Sequence, residues 1–229
     1  MRFLGYFLAV FVALFVLRQL PLVGGLFRVP LFGFFLAAIL VSAVVAKGGA
    51  WWSAQRRLAS QTRELGQVDT PQMRGKLGRL LLLNGRPAQA LAPLGEAVDW
   101  EPENPEWHYR LGQARLRTGD RTGGVEALAH AAELDERHAY GEVLLLLGEA
   151  RLGAGQAEQA LVSLERFEAL QGPSPRSAYW RGRALAALGR KEEARASYAD
   201  VSRLVAQAPK YQRGTALGFQ LRATLARLF

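Results

Sequence analysis

The chain has 229 residues, half of them hydrophobic, with no cysteine and a formal net charge of +9. The lack of cysteine excludes disulfides, thiolate metal sites and cysteine catalysis. The charge sits at the ends: residues 1–50 hold Arg2, Arg18, Arg28 and Lys47 and no acid, residues 71–208 balance 18 basic against 18 acidic side chains, and the last 21 residues add Lys210, Arg213, Arg222 and Arg227 unopposed.

Phe3 to Leu17 is an unbroken apolar run of 15 residues, and Leu31 to Ala46 is a second of 16. Both lie near the short end of what crosses about 30 Å of hydrocarbon at about 1.5 Å per residue. Arg18, Pro21, Gly24, Gly25, Arg28 and Pro30 make the stretch between them a turn. Residues 1–50 therefore read as a transmembrane helical hairpin. A cleaved signal peptide fits less well, because no small-x-small site follows Leu17 and a second apolar run does. A third reading makes only the second run transmembrane, with the first re-entrant or interfacial. Gly5, Ala9 and Ala13, then Ala38, Ser42 and Ala46, recur at every fourth position. Such stripes let helix backbones approach closely in lipid, either against each other or against a second membrane protein. Trp51 and Trp52 suit the aromatic belt at a membrane surface. Arg2 and the α-amine, with Lys47, Arg56, Arg57 and Arg63, outnumber the two arginines of the turn, which by the positive-inside rule places both termini in the cytoplasm.

Residues 51–70 read as a helical connector with a narrow apolar stripe of Trp51, Leu58 and Leu65. It is expected to leave the membrane surface and either pack on the chain beyond residue 71 or stand free. Asp69-Thr70-Pro71 ends or redirects it, since proline disfavours helical geometry in the residue before it.

From residue 71 a frame of glycines takes over. Gly78 and Gly85, Gly112 and Gly119, Gly148 and Gly155, Gly182 and Gly189 form four pairs, each seven residues apart, and the first members are spaced by 34, 36 and 34 residues. A fixed period of this size marks a repeat array. Five after each second glycine stand Ala90, Gly124, Ala160 and Ala194; four further on come Leu94, Leu128, Leu164 and Tyr198; three further still come Ala97, Ala131, Phe167 and Val201. Each window holds two apolar-periodic helices joined by a glycine turn, with small residues where the pair crosses. One pair cannot bury its apolar face alone, so neighbours stack.

These spacings resemble the tetratricopeptide repeat (TPR), with small residues at the eighth, twentieth and twenty-seventh positions and a proline near the thirty-second, here Pro102. The resemblance covers residues 71–208 and implies an all-α solenoid of four helix pairs. It departs from the pattern at Gly124, where alanine is usual, at Glu136, where proline is usual, at two extra residues near Glu136–Tyr140, and at Arg181, where the other copies have Leu77, Leu111 and Leu147. Residues 209–229 read as a capping helix, with Tyr211, Leu217, Leu221, Leu225 and Phe229 turned onto the fourth repeat and its arginines facing water.

In TPR proteins the first helix of each repeat lines a concave groove. By resemblance the partner-binding positions fall on Arg79 and Leu82, on Tyr109, Gln113 and Arg117, on Leu145 and Glu149, and on Arg176, Tyr179 and Arg183. Tyrosine and arginine are enriched at binding hot spots, and a peptide or helix with an acidic end and an aromatic or aliphatic anchor suits this set. The Lys and Asn pattern with which chaperone-binding TPR domains clamp a terminal carboxylate is absent. No catalytic constellation is evident. His130 and Glu133 share a helix face without a third ligand, so no metal, cofactor or enzymatic activity is expected. The expected function is a membrane-anchored scaffold that binds protein partners and organises or assembles a membrane complex, held to the bilayer by its hairpin. The cytoplasmic membrane of a bacterium is the expected place, given 25 Arg against 4 Lys with abundant Ala, Leu and Gly. The alternative is a nucleic-acid-binding helical repeat at the membrane, which the neutral array opposes, because such binding needs several phosphate contacts from a basic surface.

Overall fold

The computed structural model describes residues 8, 11–12, 15–16, 31–67 and 70–227, with side chains for these apart from 31–38, 50–51, 54, 66 and 210–212. The chain divides into two compact units, Met1–Glu64 and Leu65–Phe229. The first apolar run, the turn after it and the stripe of Gly5, Ala9 and Ala13 lie outside the described residues, apart from helical residues 8, 11–12 and 15–16.

The second apolar run and the connector form one helix, α1, Leu31–Gly66, of 36 residues. The helical connector expected from residue 51 is continuous with the second apolar run: no proline stands between Leu31 and Gly66, and Gly48-Gly49 alone does not stop the helix. Ser42 is fully buried and Leu58 is buried, while Ile39, Leu40, Val41, Val44 and Val45 are exposed. The small-residue side of α1 is thus the covered one at Ser42. Among the described residues no helix is long and apolar enough to cross a membrane.

The second unit is all helix among its described residues. It is built from α2 (Pro71–Leu83), α3 (Pro87–Trp100), α4 (Pro105–Thr118), α5 (Arg121–Leu134), a 3-10 turn (His138–Gly141), α6 (Glu142–Gly153), α7 (Ala157–Gln171), α8 (Pro175–Ala187), α9 (Lys191–Gln207) and α10 (Lys210–Ala226). Starts and stops follow local chemistry. Thr70, Asn104, Asp120 and Ser174 cap α2, α4, α5 and α8 by accepting from a backbone N–H two or three residues on, which satisfies an otherwise unpartnered donor of the first turn. Proline opens α2, α3, α4 and α8, where its missing N–H costs nothing. The second glycine of each pair takes φ of 71° at Gly85, 95° at Gly119, 80° at Gly155 and 75° at Gly189, a left-handed turn that a side chain would resist.

The first glycine of each pair has a different task. A Cβ at Gly112 would stand 2.7 Å from Leu128 Cγ, at Gly148 2.7 Å from Leu164 Cγ, and at Gly182 2.5 Å from Tyr198 Cε1. The large side chain of the second helix rests directly on the backbone of the first. Leu94, Leu128 and Leu164 are fully buried there and Tyr198 nearly so. The core runs through these crossings as two clusters, one around Leu81, Leu94 and Leu111 and a larger one from Tyr109 to Ala223.

The two extra residues between the second and third repeats become the 3-10 turn. Ala139 and Tyr140 hold φ of 52° and 57°, and Gly141 follows at 75°. Left-handed helical geometry costs a residue with a side chain about 1–2 kcal/mol. The turn is held by Ala139 packing on the core and by His138, whose Nε2 hydrogen-bonds Glu106 Oε2 at 2.8 Å. Tyr140 is left 87% exposed.

The last helix corrects the expectation for the C-terminus. Ala216, Phe219, Ala223 and Ala226 pack onto the array, while Leu217, Leu221 and Leu225 are exposed, at 55%, 65% and 51%. The side chains of Tyr211 and Phe229 lie outside the described set. Small residues permit a close helix approach that leucines would hold apart, so the alanine side forms the seam. Arg213, Arg222 and Arg227 are exposed, as expected.

Candidate partner-binding face

First helices of successive repeats abut, α2 with α4, α6 with α8, and α8 with α10. This first-helix face carries the ten positions expected to bind a partner, and it separates them into three groups. Leu82, Tyr109, Leu145 and Tyr179 are buried in the seams between helices. Gln113, Glu149 and Arg176 are half-buried, and Arg79, Arg117 and Arg183 are exposed. Arg117 leans back to donate from Nη1 to the carbonyl of Leu82, at 3.0 Å, at the end of α2. Arg183 sits 5.8 Å from the Trp180 ring, with Nη1 3.4 Å from the Tyr179 hydroxyl. The buried four shape the face; the arginines offer contacts.

Arg176 organises the centre. Its Nε and Nη2 donate to the two oxygens of Glu149 at 2.8 and 2.9 Å, a bidentate pairing, and its Nη1 donates to Glu142. Burial works against its charge, but Glu149 and Glu142 outweigh burial and raise its pKa, so it stays a cation. Next to it Arg110 donates from Nε to Glu106 at 2.7 Å and from Nη1 to Gln113 at 3.2 Å. Tyr109 lies under both groups: Arg110 is 5.1 Å from its ring, and the His138 ring meets it edge-on at 5.5 Å. Burial, and then the charge of Glu142, push its phenol pKa up against the pull of Arg110 and Arg176. The phenol is therefore uncharged beside this ion-pair network. Glu106, Arg110, His138 and Glu142 are not anticipated from sequence, although Glu142 precedes Arg176 by 34 residues, one repeat length.

A cavity of about 460 Å³ opens beside Arg176, lined by Ser174, Pro175, Ala208, Thr215, Ala216 and Phe219. It lies where α8 begins, α9 ends and α10 crosses. Its walls are mostly apolar, and Arg176 stands at its polar edge.

The remaining histidines pair with each other. His108 and His130 meet edge-on at 4.3 Å, and His108 Nε2 donates to the Pro102 carbonyl at 2.7 Å. Burial lowers the His108 pKa from 6.5, aided by His130 and opposed by the Pro102 carbonyl. The folded chain binds this proton less readily than the unfolded chain, so stability is full above about 6.5 and falls as acid is added below it. The urea midpoint should drop between pH 7.5 and 5.5, and His108→Gln should flatten that slope; an unchanged slope would contradict the burial argument. Among the described residues no group of three or more His, Cys, Asp or Glu side chains is placed to hold a metal ion.

Two family models for the tetratricopeptide repeat match the chain, over residues 81–141 and 145–210. Together with the helix pairs, they make the array a member of the tetratricopeptide repeat family. Solved structures agree at the level of fold. MamA is 20% identical with a TM-score of 0.59 over 68% of this chain and 87% of its own. YrrB, described as a TPR protein with an unusual peptide-binding site, is 17% identical with a TM-score of 0.56 over 73% and 83%. TTC0263, a thermophilic TPR protein in Thermus thermophilus, is 23% identical with a TM-score of 0.56 over 80% and 97%. No curated protein matches the sequence.

Proposed function

We propose that this chain is a membrane-anchored TPR adaptor that holds a partner protein on its first-helix face at a bacterial cytoplasmic membrane. The observation that carries the reading is the face itself: exposed Arg79 and Arg183 flank a buried aromatic and ionic centre, beside a mostly apolar cavity with Arg176 at its edge. An extended segment or helix with acidic side chains and one aliphatic or aromatic anchor fits that chemistry. Peptide binding by YrrB, a protein of the same fold, is consistent with such a use. The anchor is supported by the two apolar runs in the first 46 residues and by the exposed Ile39, Leu40, Val41, Val44 and Val45 of α1. Confinement to a membrane raises the effective concentration of the face for partners held in the same plane.

Tagged full-length chain, extracted in mild detergent, should retain a stoichiometric protein partner. Arg183→Glu should weaken that complex by about tenfold, equivalent to about 1.4 kcal/mol, while Arg195→Glu on the exposed side of α9 should leave it unchanged. If the chain purifies alone even after crosslinking, the adaptor reading fails. Because the chain has no cysteine, a single one placed at Arg195 reports topology. Labelling from outside intact cells would overturn the cytoplasmic placement.

A further inference from the structure

The glycine frame continues one step past Gly182. Gly218 lies 36 residues further on, the interval that already separates Gly112 from Gly148. At the four earlier positions the site of a Cβ is occupied by a large side chain of the repeat's own second helix, Leu94, Leu128, Leu164 or Tyr198. At Gly218, and at Gly214 one turn earlier, no described atom lies within 4 Å. The neighbours follow the same register. Ala178, Gly182 and Leu185 of α8 correspond to Gly214, Gly218 and Leu221 of α10. Ala178 is 0% and Leu185 5% exposed beneath α9, whereas Leu221 is 65% exposed. By register α10 is the first helix of a fifth repeat, and its second-helix side is uncovered among the described residues.

We infer that this uncovered side of α10 docks one amphipathic helix of a partner protein, with a leucine or tyrosine seated on Gly218 and acidic residues at its margins. The helix follows from the four internal precedents, in each of which this surface takes a helix and this socket takes a large side chain. The charge follows from α10, where Lys210, Arg213, Arg222 and Arg227 are unopposed through residue 229. A second copy would bring the same cations against them, and like charges oppose that pairing. The chain's own α7, which fills the equivalent socket at Gly148, carries Glu158, Glu165 and Glu168 against one arginine, Arg166. Three exposed leucines in successive turns around open glycines form a surface that cores and interfaces cover, unlike the polar outer face with which a solenoid terminates. This surface is separate from the first-helix face and does not depend on what binds there.

The probe is a synthetic fluorescent peptide of residues 156–172, the α7 segment, titrated onto full-length chain in nanodiscs of neutral lipid. It should bind, and replacing the residue equivalent to Leu164 in the peptide by alanine should weaken it at least tenfold. Gly218→Leu, whose Cβ has no described atom within 4 Å, should weaken binding at least tenfold while preserving the helical circular-dichroism melt. Leu221→Asp should do the same, and Arg183→Glu should leave binding within twofold. The inference is overturned if the peptide does not bind, or binds the Gly218→Leu chain as tightly as the unaltered one. It is equally overturned if Leu221→Cys chains crosslink to each other in preference to binding the peptide, which assigns the surface to a second copy. Cosedimentation with phosphatidylglycerol vesicles, abolished by Leu221→Asp and unaffected by the peptide, assigns it to lipid and overturns the inference too.

Discussion

Leu164→Ala should lower the stability of the repeat array by about 2–5 kcal/mol, the range for deleting a fully buried leucine with its residual cavity. Leu164 is 0% exposed, and it rests on the backbone of α6 at Gly148. Gly148→Ala should also destabilise. Its new methyl group would enter at 2.7 Å from Leu164 Cγ and 3.3 Å from the Ala160 carbonyl oxygen. Overpacking of about 1–3 kcal/mol then exceeds the roughly 1 kcal/mol that alanine gains over glycine in a helix. Combined, the two changes should compensate, because the methyl group occupies space that the leucine has left. Urea unfolding of the full chain in mild detergent should give a double variant less destabilised than the sum by at least about 0.5 kcal/mol. Strict additivity would mean that the leucine and the glycine do not meet.

Arg181→Leu restores the residue found at Leu77, Leu111 and Leu147, yet it should cost about 3 kcal/mol. Arg181 Nη1 donates to Glu168, Nε donates to Ser197 Oγ at 3.0 Å, and Nη2 lies 3.3 Å from Asp200. Its side chain is 24% exposed and that of Glu168 only 10%. Removing the arginine leaves a carboxylate without its counter-charge in a place water scarcely reaches. In the glycine register, Glu168 occupies the position of Val98 in the first repeat and Ala132 in the second, each in the core cluster of the leucine of the next repeat, Leu111 or Leu147. Arg181→Leu with Glu168→Ala therefore rebuilds an apolar seam that the chain already uses, and most of the stability should return. A single Arg181→Leu variant as stable as the parent would show that the ion pair contributes nothing.

The array is legible in the sequence because its helix crossings demand particular residues at fixed distances. A glycine under Leu128 or Leu164 and a second one at positive φ seven residues later leave a mark that a single sequence displays. The binding face is less legible. Leu82, Tyr109, Leu145 and Tyr179 occupy first-helix positions assigned to the groove by resemblance, but neighbouring first helices approach closely enough to bury them. The ion pairs are hidden for another reason. Glu142 with Arg176 and Glu106 with His138 join residues 34 and 32 positions apart, and composition within one repeat carries no trace of them. The orientation of α10 escapes a sequence reading because leucine spacing alone marks an apolar face without saying what covers it. Ala216 and Ala223, the residues that allow contact, are the better guide.

Repeats built to one plan have interchangeable surfaces, and a chain of them can stack in the wrong order while it folds. Leu111 on Val98 and Leu147 on Ala132 are alike enough to be exchanged. Arg181 is not exchangeable with either. Set against Ala132, it would lose Glu168 and keep only Asp200 of its own repeat, and Glu168 would be left bare beneath a leucine from another repeat. This polar seam thus gives the array an internal address, penalising orders of repeats in which the fourth does not follow the third.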